Sequence, residues 1–199
     1  MTNPYGDIEL DATGMRALAH PVRVRILGEL QRHGASTATK LSPAVGATPS
    51  VTSWHLRHLA EHGLVRDAAE QGSGRERWWE ASSRGVRFSP TGPGAREAHR
   101  VLRQVMEQAD GDIVGEWERD VEPTLPDEWL DLAGRASTRV LVTAEEAAAL
   151  EAAIEQLFAP YVLRKDDPAS APEGARTVRM LRYTLPDAVP ADQGGAAGR

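Results

Sequence analysis

The chain is expected to be mainly α with a small β component, and three observations predict it. Residues 48–65, TPSVTSWHLRHLAEHGLV, read as a short helix whose two ends are written into the sequence. A second apolar-periodic segment precedes it across the glycine-containing turn Val45-Gly46-Ala47, and two strand-like runs follow it around Glu70-Gln71-Gly72-Ser73-Gly74. Helix, tight turn, helix and hairpin, in that order, make a winged helix-turn-helix domain. A long dimerisation helix and a small α+β C-terminal extension complete the expected architecture.

Residues 1–11 read as a flexible N-terminal arm. From Ala12 the pattern turns helical, with Met15, Leu18 and Ala19 on one face. Pro21 opens a second helix, residues 21–33. In it Val22, Ile26, Leu27 and Leu30 form the apolar stripe, Arg23, Arg25 and Arg32 lie outside, and Gly34 ends it. Residues 36–45 form a third helix, with Ser36 as N-cap and Ala38, Leu41 and Val45 buried. In the fourth, Thr48 caps through its hydroxyl, Pro49 takes the first helical position, where a missing N–H costs nothing, and Gly63 stops the chain. Thr52, Leu56, Leu59 and Ala60 fall at the spacing of a buried stripe, which leaves Ser50, Ser53, Trp54, Arg57 and Glu61 opposite. That outer face offers hydroxyls, an indole N–H and a guanidinium, short donors that can approach base edges; an ordinary surface helix carries Glu–Lys pairs there.

Residues 64–69 and 75–81 are the expected strands of the wing. Arg75 and Arg77 alternate with Glu76 and so point the same way, towards a phosphate backbone or minor groove. Trp78 and Trp79 face opposite sides of the strand, one of them packing on the helices as core.

At 199 residues the chain fits one or two domains. Its formal net charge of -6 conceals a division, since residues 15–104 hold 14 Arg/Lys against 7 Asp/Glu and residues 105–199 hold 9 against 19. A basic block beside an acidic one is the pattern of a nucleic-acid-reading module joined to a separate module, and double-stranded DNA is the expected partner. The chain has no cysteine, which removes disulfides, cysteine-zinc sites and thiol chemistry. No apolar run reaches the roughly 18 residues that span a bilayer, and the polar N-terminus lacks a leader pattern, so a cytoplasmic protein with no membrane partner is expected. There is no G-x-S-x-G, no Walker or dinucleotide glycine pattern and no H-E-x-x-H, so neither an enzyme nor a cofactor is expected.

Residues 12–81 resemble the winged helix-turn-helix of the ArsR family of bacterial transcriptional regulators. The matching pieces are Leu18-Ala19-His20-Pro21-Val22-Arg23-Val24-Arg25-Ile26-Leu27, the run from Ser50 to Leu59, Gly63-Leu64-Val65, and the wing. The resemblance implies a homodimer whose paired recognition helices enter successive major grooves of a roughly palindromic operator, usually as a repressor released by a ligand. On that footing Ser50, Ser53, Trp54 and Arg57, with His58 beside them, face the major groove. Lys40, Thr48, Arg75 and Arg77 position the protein through phosphates or the minor groove. The chain departs from the metal sensors of that family. It lacks cysteine pairs, and the helix after the wing carries His99 with no second histidine at i+3 or i+4. His58 and His62 stand at i, i+4, but a helix C-terminus favours histidine through its dipole, so no metal is expected and a small organic effector is.

Residues 12–94 are the expected DNA-binding domain, with 82–94 its Ser/Gly/Pro-rich outgoing connection. Residues 95–122 are the dimerisation helix, pairing through Val101, Leu102, Val105, Met106 and Ala109, with Gly111 and Gly115 able to interrupt it. The alternative is that this helix folds back on its own domain. In the extension, residues 123–185, a short helix at 127–132 and a strand at 138–142 precede the capping box Thr143-Ala144-Glu145-Glu146. That box opens a helix to about Phe158. A disordered loop at 165–174 and a strand at 176–185, able to pair with 139–142, follow, and 186–199 is a disordered tail. Trp117, Trp129, Phe158, Tyr161 and Tyr183 either line an effector pocket or are the core of the extension. The competing functional reading is a winged-helix module that docks a protein. An apolar, aromatic centre marks that kind of surface, where a basic, donor-rich face marks DNA.

Overall fold

The computed structural model describes residues 4–68, 76–164 and 168–188, in two compact units, Met1–Leu163 and Arg164–Arg199. The first unit runs β1 (Ile8–Leu10), α1 (Ala12–Leu18), α2 (Pro21–His33), β2 (Ser36–Thr37), α3 (Ala38–Val45), α4 (Pro49–Glu61), β3 (Val65–Asp67), β4 (Trp78–Ala81) and β5 (Val86–Phe88). It continues through α5 (Ala95–Asp110), α6 (Ile113–Asp120), α7 (Asp127–Leu130) and α8 (Ala144–Leu163). The described part of the second unit includes a 3-10 turn, Pro168–Ser170, inside the segment expected to be a disordered loop. No helix among the described residues is long and apolar enough to cross a membrane.

Local chemistry sets the helix ends. Asp11 caps α1 by accepting from the backbone N–H groups of Thr13 and Gly14, and His20 caps α2 by accepting at Nδ1 from Val22 N–H at 3.2 Å. Thr48 Oγ1 accepts from Val51 N–H at 3.4 Å, Pro49 holds the first position of α4, and Gly63 follows the helix at φ +69°. The cap of α3 is Thr37, whose hydroxyl accepts from Lys40 N–H at 3.3 Å, and not Ser36. Ser36 instead pairs with Trp79, and β2, β4 and β3 form a three-stranded antiparallel sheet in which Val65 lies opposite Ala81 and Asp67 opposite Trp79.

One core joins these elements. Met15, Leu18, Ile26, Leu30, Leu41, Val45, Leu56, Leu59, Leu64, Trp79 and Leu102 are buried together, each stripe landing on the side its helical period requires. Between α3 and α4 the buried hydroxyls of Ser42 and Thr52 lie 3.2 Å apart, and Ser42 also donates to the Ala38 carbonyl at 2.6 Å. This polar contact gives both buried hydroxyls a partner between the two helices.

Several expectations are corrected. The N-terminal arm is not loose: Ile8–Leu10 pairs parallel with Val86–Phe88, so the expected connection at 82–94 also contains a strand, and Tyr5 and Leu10 are buried. Arg87 of β5 reaches both Asp7, at 3.4 Å, and Glu155 of α8, which ties the arm and that helix to the domain. The helix after the wing folds back on its own domain through Ala95, Ala98 and Leu102. Leu102 is 0% exposed and is therefore removed from any partner surface, and Met106 packs partly against the same core. The helix stops at Gly111, at φ +63°, and restarts as α6 under an Asp112 cap that accepts from Gly115 N–H at 3.0 Å.

In the extension the capping box forms as written: Thr143 N–H donates to Glu146 Oε2 at 2.7 Å, and Glu146 N–H donates to Thr143 Oγ1 at 3.2 Å. The helix it opens continues through Pro160 to Leu163, past the expected end at Phe158. The strands expected at 138–142 and 176–185 carry no ladder pairing, and Val140, Leu141, Met180 and Tyr183 are exposed. Alternation states which face of a strand is apolar but supplies no edge for it to pair with. Residues 189–199 of the expected tail lie outside the described residues.

Candidate nucleic-acid interface

The outer face of α4 is assembled as the helical period predicts. Thr48, Ser50 and Arg57 are exposed, Ser53 is half-buried, and Arg57 Nη1 donates to Ser53 Oγ at 3.2 Å. Trp54 is 55% exposed. Beside it stands Val51, 45% exposed, a residue that the sequence reading passed over. Its place three residues before Trp54 was the available signal, since i and i+3 are neighbours on a helix surface.

The wing base meets this face. A shallow groove of about 120 Å³ is lined by Thr39, Ser53, Arg57, Glu76 and Arg77, so α4, the start of α3 and the base of the hairpin are continuous there. Arg77 is engaged within the sheet: its Nη2 donates to Asp67 Oδ2 at 2.6 Å, and its guanidinium lies 4.0 Å from the centroid of the Trp79 ring. The Arg77 guanidinium holds the Asp67 carboxyl below the usual carboxylate range. Lys40 Nζ sits 4.2 Å from the centroid of Trp78, on the outer side of the strand whose Trp79 is buried. Thr39 Oγ1 donates to Glu76 Oε1 at 2.7 Å, which adds a second carboxylate that the sequence reading did not assign to this face. Arg75 and the hairpin tip lie outside the described residues.

Behind the face runs a row of rings. His20 and His55 have centroids 4.5 Å apart, His55 meets Trp54 edge-on at 4.8 Å, His58 lies nearly parallel to Trp54 at 5.8 Å, and His62 follows His58 at 4.9 Å. His55 is 4% exposed, and its Nδ1 has no hydrogen-bond partner among the described residues; neither has Arg23 Nε. Burial first, then His20, Arg23 and His58, push His55 down to about 4. Burial, with Arg23 and His62, also lowers His58, partly offset by Glu61. His58 is half-buried, and its closest aromatic neighbours are Trp54 and His62, so its contribution to the face passes through the indole it braces.

Trp117, Trp129 and Phe158 are half-buried, Tyr161 is exposed, and Tyr183 belongs to the second unit. His99, the one histidine on the helix after the wing, packs against Phe88 with centroids 5.4 Å apart.

The helix pair, its turn and the donor-rich outer helix are the parts by which one class of domain docks on duplex DNA. Residues 18–68 match the family model of a helix-turn-helix domain. The match takes in α2, α3, α4 and β3, and stops before the second wing strand. No curated protein matches the chain. Within the helix-turn-helix, α3 and α4 are the paired helices, Gly46 is the left-handed turn residue between them at φ +66°, and α4 stands in the second position of the pair. DNA-binding regulation is the function class that such a domain supports.

Proposed function

We propose that the protein is a sequence-specific DNA-binding transcriptional regulator of the ArsR-like type, a homodimeric repressor that binds an inverted-repeat operator and is released by a small organic ligand. The observation that carries this reading is the exposed face of α4, where Ser50, Ser53 and Arg57 stand beside a groove leading to Arg77 of the wing. On this reading Arg57 pairs bidentately with guanine, the serines bond base edges, and Thr48, Lys40 and Arg77 set register on the phosphates. Repression is preferred over activation on this reading because a small dimer covering a promoter needs no further machinery. The absence of cysteine from the chain favours an organic ligand over a thiophilic metal.

Selection of bound duplexes from a random pool, followed by anisotropy of the winner across a salt series, tests the reading. An inverted repeat with half-sites about one helical turn or a small multiple apart is the expected outcome. Arg57→Ala is expected to cost roughly 1–3 kcal/mol and to relax specificity at one position, whereas Arg77→Ala weakens all sequences alike and flattens the salt slope. Uniform loss in both variants removes Arg57 from the readout.

A second reading rests on one observation. Val51 and Trp54 place apolar surface at the centre of the recognition face, which also suits a protein partner. Failure of a folded protein to enrich any duplex would favour this reading.

A further inference from the structure

We propose that Val51 and Trp54 together read the 5-methyl groups of thymines in the operator, an inference that rests on the operator-binding reading above. The two side chains are 45% and 55% exposed, three residues apart on one face of α4, and are flanked by the polar side chains of Ser50, Ser53 and Arg57. A recognition helix in the major groove meets donors and acceptors on every base pair, and the apolar group presented there by an unmodified pair is the thymine methyl. Polar neighbours that bond to base edges and an apolar pair that fits a methyl are complementary parts of one readout.

The ring row behind Trp54 supports this assignment. His55 meets the indole edge-on at 4.8 Å, with an interplanar angle of 71°, and His58 stacks beside it at 15°. These contacts favour one orientation of the exposed indole before DNA arrives, which lessens the rotamer freedom lost on contact. Val51, branched at Cβ, is confined in a helix to one dominant rotamer. A pair of side chains this constrained presents a fixed apolar shape, which suits discrimination of one methyl group more than general adhesion. The half-site implied by α4 therefore contains thymine beside a base, such as guanine, that Arg57 can pair with.

The test uses the full chain and the duplex selected above, with thymines replaced one at a time by deoxyuridine. This removes the methyl and leaves pairing and the O4 acceptor intact. Affinity is expected to fall about fourfold at each contacted position, the value of one methyl-sized apolar group, at one or two positions in each half-site and at none elsewhere. Trp54→Ala and Val51→Ser bind the thymine duplex more weakly, lose the response to deoxyuridine at their own positions, and keep the wild-type salt slope. Both side chains are exposed, so unchanged urea midpoints separate a readout defect from a folding one. A sequence-specific complex indifferent to every deoxyuridine, or one whose sensitivity survives in both variants, overturns the methyl reading and leaves operator binding standing. If no duplex is enriched at all, operator binding itself falls, and the apolar pair passes to the protein-docking reading.

Discussion

His55 shows how much one side chain's orientation decides. Its place in α4 was plain from the sequence, but a helix turn carries it to the inner face, against His20 and Arg23 of the incoming helix, where it is nearly fully buried. Desolvation and the neighbouring Arg23, His20 and His58 hold it near 4, below the ordinary 6.5, so the folded protein keeps it neutral where the unfolded chain would take up a proton. The sign follows from linkage. Between about pH 4 and 6.5 the unfolded state binds more protons, so stability is full above pH 6.5 and is lost as pH falls towards 4. From pH 7 to pH 4.5 the wild type is expected to lose on the order of 2–3 kcal/mol through this group. Urea midpoints at the two pH values measure it. His55→Leu, which puts an apolar side chain in the same place, is expected to remove most of that decline. An equal decline in both proteins assigns the acid sensitivity to other groups.

The wing shows the same dependence one level up. Strands β3 and β4 place Asp67 opposite Trp79, so Arg77 lies over that ring and meets the carboxylate across the ladder. A guanidinium read in the sequence as free to meet phosphate is already paired. Asp67→Asn is expected to loosen that pairing and to remove a negative charge beside Arg77, tightening binding to every duplex alike. Anisotropy titrations at fixed salt measure it, and an unchanged affinity would mean that Asp67 does not compete with DNA for Arg77. Elements whose causes are local were legible: the Pro49 and Thr48 start of α4, the stripe of α2, and the Thr143–Glu146 box all stand where side-chain period and capping put them. Strands β1, β2 and β5 were not, because pieces of two or three residues exist only through partners far away in sequence, as Ile8 does through Val86. The reverse error has the same origin: residues 138–142 and 176–185 have strand pattern and no ladder.

At the scale of the whole chain, basic residues outnumber acidic ones over 15–104 and acidic ones prevail after it, so the salt dependence expected of the proposed DNA binding belongs to the first part of the chain. Between the two lies α5, and its two faces belong to different questions. Ala95, Ala98 and Leu102 face inward and hold the helix against α1 and α2, while Val101, 38% exposed, and the half-buried Val105 stand at i and i+4 along the border of that face. The proposed homodimer is therefore expected to use Val101 and Val105 and not the buried Leu102. Substitutions on the two faces are expected to fail differently. Val101→Asp combined with Val105→Asp leaves the helical circular dichroism in place, converts a dimer to a monomer by light scattering, and weakens operator binding because the two half-sites lose their linkage. Leu102→Ala removes a fully buried side chain and costs about 2–5 kcal/mol of folding stability, and any loss of dimer then tracks the unfolded fraction. A wild-type chain that scatters as a monomer at micromolar concentration ends the dimer proposal. A dimer that survives the paired aspartates moves the interface off α5, and the exposed Leu150 and Leu157 of α8 become the next residues to charge.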